Sequence, residues 1–104
     1  MKLPKSPYPK EVYEKNAETY KILANPKRLE ILNILKTKEL SVEQLRKILN
    51  FPKANLSQHL TLLRHARLVL VRRNGLNAHY KIADSRIVEP CRILRDLRRQ
   101  KSLD

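Results

Sequence analysis

The sequence has few of the residues that build covalent, metal or nucleotide sites. Its 104 residues include one cysteine, one glycine, one phenylalanine and no tryptophan. The single Cys91 cannot form a disulfide or a thiolate cluster within one chain. One glycine cannot build a glycine-rich phosphate loop, and Ser57 and His59, two positions apart on a predicted helix, face different directions. Because no catalytic pattern can be read from the sequence, we do not expect an enzyme.

Long apolar runs are absent as well. The start of the chain, MKLPKSPYPK, has no apolar core of signal-peptide length, and no stretch approaches the roughly 18 apolar residues of a membrane span. These features predict a cytoplasmic protein with no membrane partner. A chain of 104 residues and 12.3 kDa forms one domain with a modest core. A small core gives the chain a reason to share apolar surface with a second copy.

Acidic residues are missing from a long central stretch, since no carboxylate lies between Glu43 and Asp84. The whole chain has 23 Lys and Arg against 10 Asp and Glu, a formal net charge of +13 and a pI near 10.3. A surface that was basic only for solubility or heat resistance would mix its charges along the chain. The stretch therefore predicts a polyanionic partner. Its cations are Arg46, Lys47, Lys53, Arg64, Arg67, Arg72, Arg73 and Lys81.

The remaining pattern predicts a flexible arm over residues 1–9 and one domain over residues 10–104. Three prolines indicate the arm, and apolar residues at helical spacing indicate a first helix from Lys10. Asn25 followed by Pro26 starts a second helix, which runs to about residue 36. Ser41 with Gln44 forms a capping box for a third helix, in which Leu45, Ile48 and Leu49 are expected to be buried. A fourth helix opens at Pro52 and runs to about residue 66.

The last third of the domain predicts a hairpin and a final helix. Residues 68–73 and 78–82 alternate around Asn74-Gly75, a strong hairpin signal, and form a two-stranded wing. Asp84 caps a last helix over about residues 85–100, which Pro90 is expected to kink. The fold class is therefore mainly α with a small β-hairpin (α+β): a winged helix-turn-helix of about five helices.

A helix pair joined by a tight turn and followed by a basic hairpin is the layout with which proteins enter the DNA major groove. Base contact requires small or amide side chains on the exposed helix face, and flanking cations hold phosphates. The fourth helix meets this requirement, and Gln58 can pair with adenine. The predicted contacts with double-stranded DNA are Arg46, Lys47, Lys53, Ala54, Asn55, Ser57, Gln58, His59, Thr61, Arg64, Arg72, Arg73, Asn77 and His79.

Four segments, LANPKRLEIL, LSVEQL, NLSQHLTLLR and RRNGLNAHY, resemble the ArsR/SmtB type of winged-helix repressor. The resemblance covers about residues 20–84. It implies a homodimer joined by the first and last helices, which binds an inverted repeat with the fourth helix of each subunit. The helical stripes predict an interface of Tyr13, Ala17, Tyr20, Ile87, Cys91, Leu94 and Leu97. The alternative is an architectural or DNA-coating protein with low sequence specificity, and RNA binding is disfavoured because no aromatic stacking platform appears.

The chain departs from the pattern that the resemblance implies at three places. Metal-sensing members carry a Cys-x-Cys pair at the start of the third helix, where this chain reads LSVEQL, and a second zinc site needs an Asp–His pair, where this chain has Asp84 and then Arg86. We therefore predict no metal and no cofactor, and the effector stays open. The usual glycine after the fourth helix is Arg67, so this helix either ends differently or places a left-handed arginine there.

The roles of His59 and Cys91 can each be interpreted in two ways. His59 is expected to make a structural hydrogen bond to the fourth helix's surroundings, and the alternative is direct contact with phosphate or base. Cys91 lies on the apolar face of the last helix and is expected to be a small core or interface residue. A redox role for Cys91 would need a disulfide across the dimer.

Overall fold

The structure is a computed structural model and describes residues 1–101. Over this range it has the predicted winged helix-turn-helix architecture, with a helix pair followed by a hairpin. A 3-10 turn, Ser85–Val88, precedes the last helix. The other elements are α1 (Lys10–Leu23), α2 (Pro26–Leu35), β1 (Leu40–Ser41), α3 (Val42–Leu49), α4 (Lys53–His65), β2 (Val69–Asn74), β3 (Asn77–Ile82) and α5 (Glu89–Arg99).

The predicted helix starts are confirmed at the two strongest signals. Asn25 Oδ1 accepts from the backbone amides of Lys27 and Arg28 at 3.0 and 3.1 Å, and Pro26 occupies the first turn of α2. Ser41 Oγ accepts from the amide of Gln44 at 3.2 Å, and Gln44 Oε1 accepts from the amide of Ser41 at 2.9 Å. This reciprocal pair satisfies two amides that helix geometry leaves without partners.

The sheet has three antiparallel strands, one more than the predicted wing. β1 pairs with β3 through Leu40 opposite Tyr80 and Ser41 opposite His79, so β3 is the central strand. A two-residue strand is too short to show an alternating pattern in the sequence. The added strand ties the wing to the start of α3.

The hairpin turn lies one residue further along than the Asn-Gly signal suggested. Asn74 pairs with Asn77, so Gly75 and Leu76 form the turn, and Gly75 has a φ of +65°. A positive φ at the first of two turn residues is the type II′ arrangement, which glycine adopts without steric cost.

The prediction of one kinked helix over residues 85–100 is wrong. Asp84 does accept from the amide of Arg86 at 2.9 Å, but it caps the 3-10 turn, and α5 starts afresh at Glu89. Pro90 lies in the first turn of α5, where its missing N–H removes no hydrogen bond. The proline therefore starts the helix and does not bend it.

The core lies between α2, α3, α4 and the sheet. Leu56, Leu60 and Leu63 are buried on one face of α4, as predicted, whereas Ile48 of α3 is 56% exposed, contrary to prediction. The buried side chains are Ile31, Leu32, Leu35, Leu40, Leu45, Leu49, Leu56, Leu60, Leu63, Leu68, Val69, Ile82 and Val88. None of these belongs to α1 or α5. Among the described residues, no helix is both long and apolar enough to cross a membrane.

Candidate nucleic-acid interface

The outer face of α4 is mostly polar, although Leu62 on this face is 38% exposed. Leu56, Leu60 and Leu63 fix the rotation of the helix, because they are at most 1% exposed. The predicted contact residues on this helix are therefore turned to solvent, with His59 half-buried beside them; the exposed ones are Lys53, Ala54, Asn55, Ser57, Gln58, Thr61 and Arg64. No carboxylate lies on this helix. The face offers hydroxyl and amide groups of the kind that pair with base edges.

The last turn of α3 presents two further cations. Asn50 ends α3 in the left-handed conformation at a φ of 56°, and Arg46, Lys47, Asn50 and Phe51 surround a shallow depression. Lys47 and Arg46 are both exposed. Arg46 Nε lies 3.2 Å from Glu43 Oε2 in an exposed ion pair, which contributes little in water. Both cations therefore remain available to a phosphate at low energetic cost.

His59 makes the structural hydrogen bond predicted for it. Its Nδ1 accepts from Arg28 Nε at 3.3 Å, and Arg28 also donates to the carbonyl of Ile22 at 2.9 Å. Burial, and then the charges of Arg28 and Lys27, lower the pKa of His59 below its ordinary value. A neutral ring with an unprotonated Nδ1 fits this geometry. His59 thus links α4 to α2 and the end of α1.

Arg72 on the wing has a carboxylate partner that the linear sequence hides. Its Nε and Nη2 donate to Glu39 Oε1 at 2.9 and 2.6 Å. This hydrogen bond and the charges of Arg72, His79 and Lys81 hold the pKa of Glu39 below its ordinary value, against a smaller opposing effect of burial. Glu39 lies outside the carboxylate-free stretch in sequence but beside it in space. A phosphate contact by Arg72 would have to compete with Glu39.

The other wing residues lie on two different faces of the hairpin. Arg72 is directly opposite His79, whereas Arg73 is opposite Ala78 and so points to the other face. Arg73 and Asn77 are exposed and His79 is half-buried in the central strand. Of the predicted wing contacts, Arg73 and Asn77 are the two most accessible without any rearrangement.

The end of α4 brings in a residue that was not predicted as a contact. The amide of Leu68 donates to the carbonyl of Leu63 and that of Arg67 to the carbonyl of Arg64, both at 2.9 Å. This is the Schellman pattern, with Arg67 in the left-handed conformation at a φ of 61°. The second of the two expected geometries is therefore the one adopted. Arg67 is exposed beside Arg64 and Arg73, which line the same cleft. Two sequence signals pointed to Arg67: its place among the cations of the carboxylate-free stretch, and an arginine at a glycine-favouring position.

Comparison with known proteins agrees with this geometry. The family described as "Bacterial regulatory protein, arsR family" matches residues 25–70. Transcriptional repressor PagR of Bacillus anthracis is 39% identical over 75 residues, which cover 71% of this chain and 75% of PagR. The homodimeric winged helix-turn-helix DNA-binding domain of Mb0332 from Mycobacterium bovis has a TM-score of 0.76 at 27% identity, covering 92% of each chain. The chain belongs to the ArsR family.

Other ArsR-family relatives are longer than the aligned region. The transcriptional repressor SmtB homolog of Synechocystis is 35% identical over 80 residues, which cover 77% of this chain and 61% of that protein. In another curated relative the alignment spans 54% of the length. The comparison therefore establishes the family and the DNA-binding domain that the aligned region spans.

Six of the seven residues predicted as an interface lie on α1 and α5, and Ile87 lies in the 3-10 turn before α5. Tyr13 and Tyr20 of α1 are 44% and 63% exposed, and Leu94 of α5 is 40% exposed. Ala17 is exposed as well, and Ile87, Cys91 and Leu97 are half-buried. Tyr13 is in addition contacted by the arm, through a 2.7 Å bond to Ser6 Oγ and an edge-on contact with Tyr8. Within one subunit of this ArsR-family chain, Tyr13, Ala17, Tyr20 and Leu94 are therefore left exposed, whereas Ile87 and Cys91 pack against the core.

The positions at which the resemblance implied metal ligands are engaged in other contacts. Ser41 caps α3, and Asp84 is held by Arg86 in a two-pronged ion pair with a shortest distance of 2.7 Å. Hydrogen bonds from the Arg86 side chain and backbone lower the pKa of Asp84 to about 2. Cys91 accepts from Asn33 Nδ2 at 3.5 Å. Within residues 1–101 no group of three or more His, Cys, Asp or Glu side chains converges on a metal-sized site.

Proposed function

We propose that this ArsR-family chain is a transcriptional repressor that binds an inverted repeat in double-stranded DNA as a homodimer. The observation that carries the proposal is the outer face of α4, which is exposed, mostly polar and free of carboxylates. A helix of this kind after a tight turn enters the major groove with its first turns against the base edges. PagR and the Synechocystis relative, both named as repressors, support the regulatory role.

The side chains divide into two groups by what they can contact. Gln58, Asn55, Ser57 and Thr61 carry amide and hydroxyl groups for base edges, and Ala54 lets the backbone approach. The cations around them do not distinguish one base from another. They fix the position of the helix by contacting phosphates. This second group consists of the cations Arg46, Lys47, Lys53, Arg64, Arg72 and Arg73, with the polar wing side chains Asn77 and His79 beside them.

A two-fold pair of subunits is proposed because α1 and α5 bury no residue within one chain. Soluble monomers avoid leaving such apolar stripes to water, and an isologous interface covers both stripes at once. It also places two copies of α4 about 34 Å apart, one DNA turn, as an inverted repeat requires. The homodimeric state of the Mb0332 domain supports this arrangement.

Selection of bound duplexes from a random pool tests sequence recognition directly. We expect an enriched inverted repeat that is bound roughly 10³-fold or more tightly than random DNA. A bound but unenriched pool would instead identify a DNA-coating protein with the same fold. Salt dependence is the second measurement, since each phosphate contact contributes about −0.9 to the slope of log K against log salt. A slope near zero would contradict both forms of the proposal.

A further inference from the structure

A cleft lies between the end of α4 and the wing. It has a volume of about 440 Å³, and Arg64, Arg67 and Arg73 line it together with Val69, Leu70 and Val71. Three guanidinium groups from three different parts of the fold therefore border one apolar-floored cleft. No acidic residue is among the lining side chains.

These three arginines differ from most others in the chain by their lack of a carboxylate partner. Among residues 1–101, the arginines in ion pairs are Arg46, Arg72, Arg86, Arg92 and Arg95. Arg64, Arg67 and Arg73 are in no such pair. Like charges repel when they are brought together, so an unpaired cluster of this kind favours a bound anion. A planar guanidinium matches the two oxygens of a phosphate.

The backbone at Arg67 provides an independent observation. Its φ of 61° lies in the left-handed region, where a side chain costs free energy that glycine avoids. The Schellman hydrogen bonds at this position need the backbone conformation and make no use of the side chain. The backbone conformation at this position therefore favours glycine, and a cation at a helix C-terminus gains only the modest attraction of the helix dipole.

The position of the cleft indicates which anion it meets. Ser57, Thr61 and Arg64 follow one another at i, i+4 and i+7, so the cleft continues the polar face of α4. Arg73 belongs to the wing on the other side. One sugar-phosphate backbone separates the major groove from the neighbouring minor groove. With α4 in the major groove and the wing over the next minor groove, that backbone runs across this cleft.

We propose that Arg64, Arg67 and Arg73 form a clamp for a backbone phosphate of bound DNA, with Arg67 as a positioning contact that the chain places at a strained backbone site. This inference rests on the proposed DNA-binding function. The clamp holds the register between α4 and the wing without reading a base, because its guanidiniums contact phosphate oxygens that every sequence shares.

The test compares Arg67→Gly with Lys101→Gly in the full chain. Lys101 is exposed and left-handed with a φ of 60° at the end of α5, so both variants lose one charge and relieve the same backbone strain. With a selected duplex, we expect Arg67→Gly to make the salt slope less steep by about 0.9 per subunit and Lys101→Gly to leave it nearly unchanged. The thermal midpoint of Arg67→Gly should be at or above that of the unmodified chain.

Neutral methylphosphonates, introduced one at a time along the duplex backbone, give the second measurement. One position per half-site should weaken binding of the unmodified chain and have little effect on Arg67→Gly. If both glycine variants change the slope equally, or if no position shows this dependence, the clamp is refuted while DNA binding stands. If the unmodified chain shows no salt-dependent binding, the proposed function itself fails.

Discussion

Gln58 is the residue on which base recognition depends most in the proposed complex. It is exposed on the early part of α4, and its amide can donate to and accept from one adenine edge. Gln58→Ala should cost about 1–3 kcal/mol on the selected duplex and much less on a scrambled one. Arg73→Ala is the matched comparison, because it should weaken both duplexes alike. Equal losses on both duplexes for Gln58→Ala would contradict base recognition by this side chain.

Titration of His59 makes the free energy of unfolding depend on pH. Burial and the charges of Arg28 and Lys27 lower its folded-state pKa below the ordinary 6.5. As the pH falls, the unfolded chain therefore takes up the proton before the folded chain does. The contribution of neutral His59 to the free energy of unfolding is fully present above about pH 6.5. It is lost as the pH falls through the folded-state pKa. Urea unfolding followed between pH 7.5 and 5.5 should show this loss.

His59→Asn is the control for that measurement. Asparagine places an amide oxygen near the position of Nδ1, so it can still accept from Arg28, but it does not titrate. The variant should lose most of the pH dependence in this range while keeping much of its stability at pH 7.5. An unchanged pH profile would show that another group is responsible.

Among the elements, α3 depends most on a single cap. It has only eight residues, and the reciprocal bonds between Ser41 and Gln44 satisfy two of its first amides. Ser41→Ala should lower the free energy of unfolding by about 1 kcal/mol, measured by chemical denaturation. Ser57→Ala is the comparison, since Ser57 is exposed inside α4, where alanine is the better helix former. A Ser41→Ala variant as stable as Ser57→Ala would contradict the cap's contribution.

The proposed homodimer depends on α1 and α5. Leu94 is 40% exposed on α5 within one subunit, and a carboxylate there would be buried without a partner in the dimer. Leu94→Glu should therefore yield monomers with mostly helical structure and should abolish tight binding to an inverted repeat. Analytical ultracentrifugation at micromolar concentration measures the first effect. Leu76→Glu, at the fully exposed wing tip, should stay dimeric.

If the unmodified chain is a monomer at that concentration, the proposed homodimer is contradicted. The inverted-repeat binding site inferred from the homodimer is then contradicted as well. The proposed DNA-contacting face of α4 would survive that result, because it is set by the burial of Leu56, Leu60 and Leu63 within one subunit. The face of α4 therefore does not depend on whether the protein forms a dimer.

The helices and the hairpin could be predicted from the sequence wherever their signals come from residues a few positions apart. Asn25 with Pro26 and Ser41 with Gln44 start α2 and α3 because a cap needs only residues a few positions apart. The apolar spacing in α4 likewise determined which face is buried, and hence which residues face solvent. These local signals were enough to identify the helix-turn-helix, the hairpin and the outer polar face.

Tertiary structure alone decided the contacts between residues far apart in the chain. Glu39 reaches Arg72 across 33 positions, and β1 joins the wing, although neither leaves a periodic signal. Arg64, Arg67 and Arg73 border one cleft only because α4 and β2 pack together. Spacing along a chain predicts which face a side chain takes, but the neighbours on that face depend on how the elements pack.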